Sequence, residues 1–354
     1  MSADDTGALR RVRRKFIAIK SSNYDLNNTC NLFCEGCYYF VSEQKTANKR
    51  PSADTYDAFF ASEAARGVNY PLFSGGEPSL NPDALRIAAM YWQNGIIYTN
   101  GIKKIPADIP FRIAISIWGA KERNESLRGE QSYSQALDAA IDDPRAFIYF
   151  TINRQNIDDI AEVVADCVKR NIQISFNDFG MTTEYVKLLE TGGDDNPYFR
   201  LSTKDDNLSL RMPDRLRAAD VIDELIDRYP HTVLFSKLLN NWMHRAPAIH
   251  TIDPETGMAT DCAYLGVSWH RGYGYDLQPL KGKPCAAPEF DCSDCRIGPA
   301  ATFTLLMRLS EQMRHSPQAR ADLTELREFM MRFHFYDDVA EREPAHPAAL
   351  ATVE

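Results

Sequence analysis

The chain is poor in histidine, seven in 354 residues, and has no excess of positive charge. It also has no apolar run near the roughly eighteen residues that a bilayer-spanning helix needs. The N-terminus, acidic at Asp4 and Asp5 and basic from Arg10 to Lys15, lacks the apolar centre of a secretory signal, so a soluble protein of the cytosol is expected. A net charge of −9 and a pI of about 5.4 give no general attraction to phosphate backbones or anionic lipid, so no nucleic-acid or membrane partner is expected. The one basic run, Arg10 to Lys15, reads as a solvated tail in preference to a docking patch. No internal repeat is present, which leaves a globular reading.

What is present supports a large core. Hydrophobic residues make up 44% and charged residues 25% of the chain, enough for one large α/β domain with an appendage. Eight cysteines without a secretory signal point away from disulfides and towards metal or redox use. Seven of them fall in two groups, Cys30/Cys34/Cys37 and Cys262/Cys285/Cys292/Cys295. Cys167 stands on an apolar helical stripe with Ile157, Ile160, Val163, Val164 and Val168, and is expected to be a buried thiol.

From Tyr24 to Asn177, short β-type runs alternate with amphipathic stretches, the pattern of a parallel sheet with crossover helices. Six β/α units are expected, with strands at Tyr24–Asn27, Tyr70–Phe73, Ile96–Thr99, Ala114–Trp118, Ala146–Ile152 and Gln173–Phe176. Asn81 before Pro82, and Asn156 before Asp158 and Asp159, read as helix N-caps. Beyond Gly180 the rhythm fades, with a breaker cluster from Gly192 to Pro197. Helical patterns return at Arg215–Tyr229 and Ala301–Phe335. The organisation expected is an N-terminal extension (1–20), an α/β core (21–200), a C-terminal region (201–340) with a cysteine subdomain at about 255–300, and a tail (341–354).

The first cysteine group is C-x3-C-x2-C on a loop after the first strand. Three thiolates can hold three irons of a [4Fe–4S] cubane and leave the fourth open to a ligand. Structural zinc is the competing reading, but zinc sites usually close with four ligands, and no His or fourth Cys lies within ten residues of the group. A thioredoxin-like pair would use only Cys34 and Cys37 and leave Cys30 without a role.

These cysteines resemble the signature of radical S-adenosylmethionine (SAM) enzymes. The resemblance continues through Ser74-Gly75-Gly76-Glu77-Pro78, similar to the GGEP motif, and Tyr98-Thr99-Asn100-Gly101, similar to TNG. It extends to Ser116–Gly119, Glu125–Gly129, Ser132–Leu137 and Thr151–Asn156, similar to stretches of the MoaA-like and SPASM-related members. It implies an α/β fold, a partial (β/α)6 TIM-type barrel, and two cofactors, a [4Fe–4S] cluster on Cys30, Cys34 and Cys37 and SAM chelating the open iron. It also implies SAM-binding roles for Gly75, Gly76, Glu77, Ser116, Arg128 and Asn153. Gly75 and Gly76 would let the backbone approach the methionine moiety, Glu77 would accept from its ammonium, Arg128 would pair with its carboxylate, and Ser116 and Asn153 would hydrogen-bond the carboxylate or ribose. Many members carry an aromatic residue just before the third cysteine; here that place is Gly36, with Tyr38 or Tyr39 as substitutes. Glu35-Gly36 and the late CxxC also resemble HpnH-like members.

The second group, with a glycine-bearing hairpin between Cys262 and Cys285 and then Cys292-x2-Cys295, resembles the auxiliary-cluster subdomain called twitch. Four thiolates suit a second [4Fe–4S] cluster, a zinc ion or an unmetallated cysteine-rich fold. His270 is an alternative ligand or a core histidine. Phe179, Trp242, Trp269 and the tyrosines near Gly272 line a substrate cavity or fill the core.

The resemblance implies an oxidoreductase or radical transferase in which reductive cleavage of SAM gives a 5′-deoxyadenosyl radical that abstracts hydrogen from a peptide or small molecule. A flavodoxin or ferredoxin would supply the electron. No cobalamin-binding or N-terminal peptide-binding domain is expected. The competing readings are a zinc-stabilised, non-catalytic barrel that binds or regulates, and an iron–sulfur electron carrier.

Overall fold

Runs rich in isoleucine, phenylalanine and tyrosine form strands buried on both faces, as a parallel sheet covered by helices requires. In the computed structural model these are β1 (Ser21–Asp25), β2 (Tyr70–Ser74), β3 (Ile96–Thr99), β4 (Arg112–Ile117), β5 (Ala146–Ile152) and β6 (Ile174–Asp178). The structure describes residues 19–41, 50–141, 143–193, 195–283, 285 and 287–336; the basic run and the tail from 341 lie outside them.

A seventh strand, β7 (Gly272–Tyr273), comes from between the late cysteines and pairs in parallel with β1. The sheet order is β6-β5-β4-β3-β2-β1-β7, with every pairing parallel. The sheet is open, with β6 and β7 at its edges. The hairpin expected between Cys262 and Cys285 is present as a tight turn, where Gly274 N donates to Gln278 O (2.9 Å) and Leu280 N to Gly272 O (2.9 Å).

The helices are α1 (Ala53–Ala65), α2 (Pro82–Tyr91), α3 (Lys121–Arg128), α4 (Ser132–Ala140), α5 (Ile160–Lys169) and α6 (Thr183–Thr191), then α7 (Met212–Arg228), α8 (Lys237–Asn240), α9 (Ala263–Gly266), α10 (Gly298–Gln312) and α11 (Pro317–His334). No helix joins β3 to β4, so the expected six β/α units lack one crossover helix. Pro106 and Pro110 in that connection lack the N–H that a helix interior needs. The helical pattern expected at Ala301–Phe335 is carried by two helices, because Ser316-Pro317 starts a new one, with Ser316 Oγ accepting from Ala319 N. Neither expected asparagine cap forms through its side chain. Asn81 Nδ2 instead donates to Leu26 O (3.0 Å), and Asn156 spans its own turn, donating to Thr151 O and accepting from Asn153 N. Cys167 is fully buried on α5, as its stripe implies.

Arg112, buried at the start of β4, donates to Phe333 O and Arg145 O (both 3.1 Å) and so ties the end of α11 to the base of the sheet. No helix among the described residues is long and apolar enough to cross a membrane.

Candidate active site

The C-terminal ends of β1 to β6 bring the motifs together around one mouth, the end at which β/α barrels keep their sites. The Cys30–Cys37 loop follows β1, Gly75–Glu77 follow β2, Asn100 follows β3, Ser116 lies in β4, Asn153 follows β5 and Asp178 ends β6.

The cysteine loop is held from several sides. Cys30 Sγ accepts from Leu32 N (3.5 Å) and from Asn100 Nδ2 (3.7 Å), which also donates to Asn31 Oδ1 (2.7 Å). Glu35, fully buried between Cys34 and Cys37, accepts from Arg200 N (2.8 Å) and Ser202 N (2.9 Å), while Gly36 N donates to Tyr198 O (2.6 Å). The stretch around residues 198–202 therefore clasps the cysteine loop.

Burial pushes the thiols of Cys30 and Cys37 up to about 12, with the neighbouring Cys34 adding to the effect in each case. Such thiols are protonated near neutrality. Iron bound by these residues would lower their pKa and take them as thiolates, so loading would release protons. Among the described residues, no three histidine, cysteine or acidic side chains stand close enough to share a single metal ion. A cubane makes a different demand, because each thiolate binds its own iron.

The residues expected to bind SAM divide into two sets. Arg128 Nε and Asn153 Nδ2 are buried donors without a hydrogen-bond partner among the described residues. That state is costly in a closed core and natural for groups that meet a polar ligand. Arg128 also donates through Nη1 to Ser116 O and lies 5.5 Å from the Trp118 ring centroid. This set fits SAM.

The second set serves the loop's own shape. A Cβ at Gly76 would stand 2.2 Å from Thr29 O, and Gly75, at φ +106°, would meet Asn27 O at 2.8 Å. The glycines thus let the loop lie against the exit of β1, rather than only making room for a ligand. Glu77 accepts from Ser79 N, Thr99 Oγ1 and Asn100 N at 2.5–2.9 Å, tying β2 to β3 and leaving it little capacity for an ammonium.

Beside this loop lies a cavity of about 230 Å³ whose lining includes Asn23, Gly36, Tyr38, Tyr98, Ser116, Trp118, Tyr149, Asp178, Phe179 and Phe290. The Tyr98 hydroxyl is buried in its wall without a partner. Gly36, at φ +61°, has no room for a side chain, since a Cβ would lie 2.8 Å from the Phe179 ring. The space a side chain before Cys37 would take is filled by the rings of Phe179, just after β6, and Tyr185. Of the proposed substitutes, Tyr38 lines the cavity, whereas Tyr39 does not and is buried in the apolar cluster that also holds Phe40, Phe179 and Tyr198.

The four late cysteines all line one apolar cavity, so the fold does gather them. The space left is about 30 Å³, roughly one water. Burial raises the thiols of Cys262 and Cys285, and that of Cys295 to about 12. Four thiols suit a cluster in kind; a single zinc ion needs ligands converging on one point, which no three such side chains among the described residues provide. His270 does not line this cavity; it is a core histidine stacked 3.6 Å from Tyr264, with Nδ1 facing Ser21 O. The histidine that does line it is His250, which the sequence reading missed. Trp242 packs under Arg308, Trp269 lines a different cavity near the start of β1, and Tyr273 stacks on Tyr24.

No family model matches the chain. It is 29% identical over 158 residues to the Fe-coproporphyrin III synthase of Methanosarcina barkeri and 25% identical over 162 residues to the sporulation killing factor maturation protein SkfB of Bacillus subtilis. These stretches cover 40% and 42% of this chain and 39% of each relative, so the similarity spans about two fifths of their length. Among solved structures, SuiB of Streptococcus suis bound to its precursor peptide SuiA matches 97% of this chain and 73% of its own, at 13% identity and a TM-score of 0.55. Native anSMEcpe with bound AdoMet matches 90% of this chain and 99% of its own, at 14% identity and a TM-score of 0.52. The fold is thus that of the radical SAM partial barrels, and about two fifths of the chain is similar in sequence to the two relatives above.

Proposed function

We propose that the chain is an enzyme that cleaves SAM reductively at a [4Fe–4S] cluster held by Cys30, Cys34 and Cys37, and uses the 5′-deoxyadenosyl radical to take a hydrogen atom from a substrate in the central cavity. The observation that carries this reading is the meeting of the three-cysteine loop, the unpartnered donors of Arg128 and Asn153, and the cavity at one barrel mouth. When bound, the cluster supplies the electron that splits the S–C5′ bond. The chain's own residues orient and enclose. Arg128 and Asn153 offer donors to SAM, Asn100 directs an amide at the Cys30 sulfur, and Trp118 and Phe179 exclude water from the cavity.

The substrate is a peptide or a small molecule held against Tyr98, Tyr149 and Asp178. SuiB binds a precursor peptide and anSMEcpe has been seen with a peptide, which supports the first class, while the coproporphyrin III synthase supports the second. Cys262, Cys285, Cys292 and Cys295 are proposed to hold a second [4Fe–4S] cluster, and a flavodoxin or ferredoxin to deliver the reducing electron. Detection of 5′-deoxyadenosine after anaerobic reconstitution and reduction tests the reading. Production by wild type and its loss on substitution of the three cysteines are expected; equal production by both would overturn it.

A further inference from the structure

Asp178 ends β6 on the wall of the central cavity, and its carboxylate is held from behind by a buried histidine. His244 is fully buried in a π-helical turn, Asn241–Arg245, a departure from regular helix that often marks function. Its Nε2 lies 2.9 Å from Asp178 Oδ1 and its Nδ1 lies 2.6 Å from Asn240 Oδ1. The orientation of the Asn240 amide is fixed independently, because Nδ2 donates to Ala219 O (2.9 Å) and Asp223 Oδ1 (2.7 Å). Turning the amide over would set its oxygen against both of those acceptors.

His244 Nδ1 must therefore donate to Asn240, and Nε2 faces a carboxylate. Two acceptors leave room for two ring protons, so this arrangement holds one proton more than a neutral imidazole beside an ionised carboxylate. Four charged groups surround it, two from α7 and two from the loop of the late cysteines. Arg215 on α7 reaches Asp178 Oδ2 (3.3 Å) and Asp294 (2.9 Å), Asp294 and Arg296 come from the loop of the late cysteines, and Asp223 stands behind Asn240. Burial raises the Asp178 carboxyl, but His244 and then Arg215 and Arg296 outweigh it and keep it ionised.

We propose that Asp178 and His244 form a proton-holding pair, imidazolium against carboxylate, that serves as the acid–base group of the central cavity. In use, the proton on His244 Nε2 passes to Asp178 Oδ1 and from there to a basic atom of the substrate. This leaves neutral His244 and ionised Asp178, and moves no electron. The matching substrate class is one whose product gains a proton at an atom facing β6; running in reverse, the discharged pair accepts one. The role in turnover rests on the radical reading above, whereas the protonation of the pair does not.

Nitrogen-15 NMR of the full chain, labelled at histidine and held near pH 8, tests it without cluster or SAM. Substitution of His244 by Asn identifies the signal, and the through-bond correlations of a buried, slowly exchanging imidazole identify it should that variant not fold. Both ring nitrogens of His244 are expected to be protonated in the wild type, with loss of one proton in Asp178→Asn. A neutral His244 in the wild type would overturn the proposal, and so would an imidazolium that persists in Asp178→Asn. Should the latter variant not fold, the wild-type spectrum alone decides.

Discussion

Gly36 occupies a place where the chain gave up a side chain, and its surroundings explain the exchange. With φ at +61° and the Phe179 ring 2.8 Å from any added Cβ, Gly36→Ala is expected to cost about 1–3 kcal/mol from overpacking, on top of the left-handed strain. A lowered denaturation midpoint, partly restored by adding Phe179→Ala, checks this. Arg128→Ala removes a charged donor and is expected to weaken SAM binding by about 1.5–3 kcal/mol, readable by equilibrium binding to the reconstituted protein. Unchanged affinity would remove Arg128 from the site. The three-cysteine loop was legible from its spacing and Arg128 from the resemblance carried by Glu125–Gly129. The packing of Phe179 over Gly36 was not, because that contact joins residues 143 apart in sequence and no local period reports it. The glycines of the GGEP stretch were legible as glycines but not in their cause, which lies in the backbone of Thr29.

At the scale of elements, the clasp between the cysteine loop and the segment at 198–202 depends on one carboxylate. Glu35→Ala leaves the amides of Arg200 and Ser202 without their acceptor and is expected to cost about 1–3 kcal/mol, with faster amide exchange confined to that segment and the cysteine loop. Protection unchanged in the segment would show that Glu35 does not hold it. The positions of β2 to β6 were readable because those strands are dense in isoleucine, phenylalanine and tyrosine, whereas β1, Ser-Ser-Asn-Tyr-Asp, begins three residues before the expected Tyr24. The two-residue β7 was not readable, since its glycine and tyrosine carry no alternation and its place is set by pairing with β1. The break between α10 and α11 was written in Ser316-Pro317, a start signal inside an otherwise continuous apolar pattern.

For the whole molecule, the buried acid at the end of β1 gives stability a pH dependence. Desolvation, only partly offset by Ser74 and Asn23, raises Asp25 to about 7. The folded state therefore binds this proton more tightly than the unfolded chain does. Its contribution is fully present below about 4, the ordinary aspartate range, and is lost as pH rises to about 7. Asp25→Asn is expected to flatten the stability profile between those limits; an unchanged slope in urea titrations would contradict the assignment. The central claim is a SAM-cleaving cluster on Cys30, Cys34 and Cys37, and anaerobic reconstitution with iron counting and 5′-deoxyadenosine detection tests it most directly, on the wild type and on the triple cysteine-to-alanine variant. About eight irons falling to about four, the contents of two [4Fe–4S] clusters and of one, with deoxyadenosine lost in the variant, is the expected result. Deoxyadenosine formed equally by both proteins, or iron and deoxyadenosine absent from both, would contradict it.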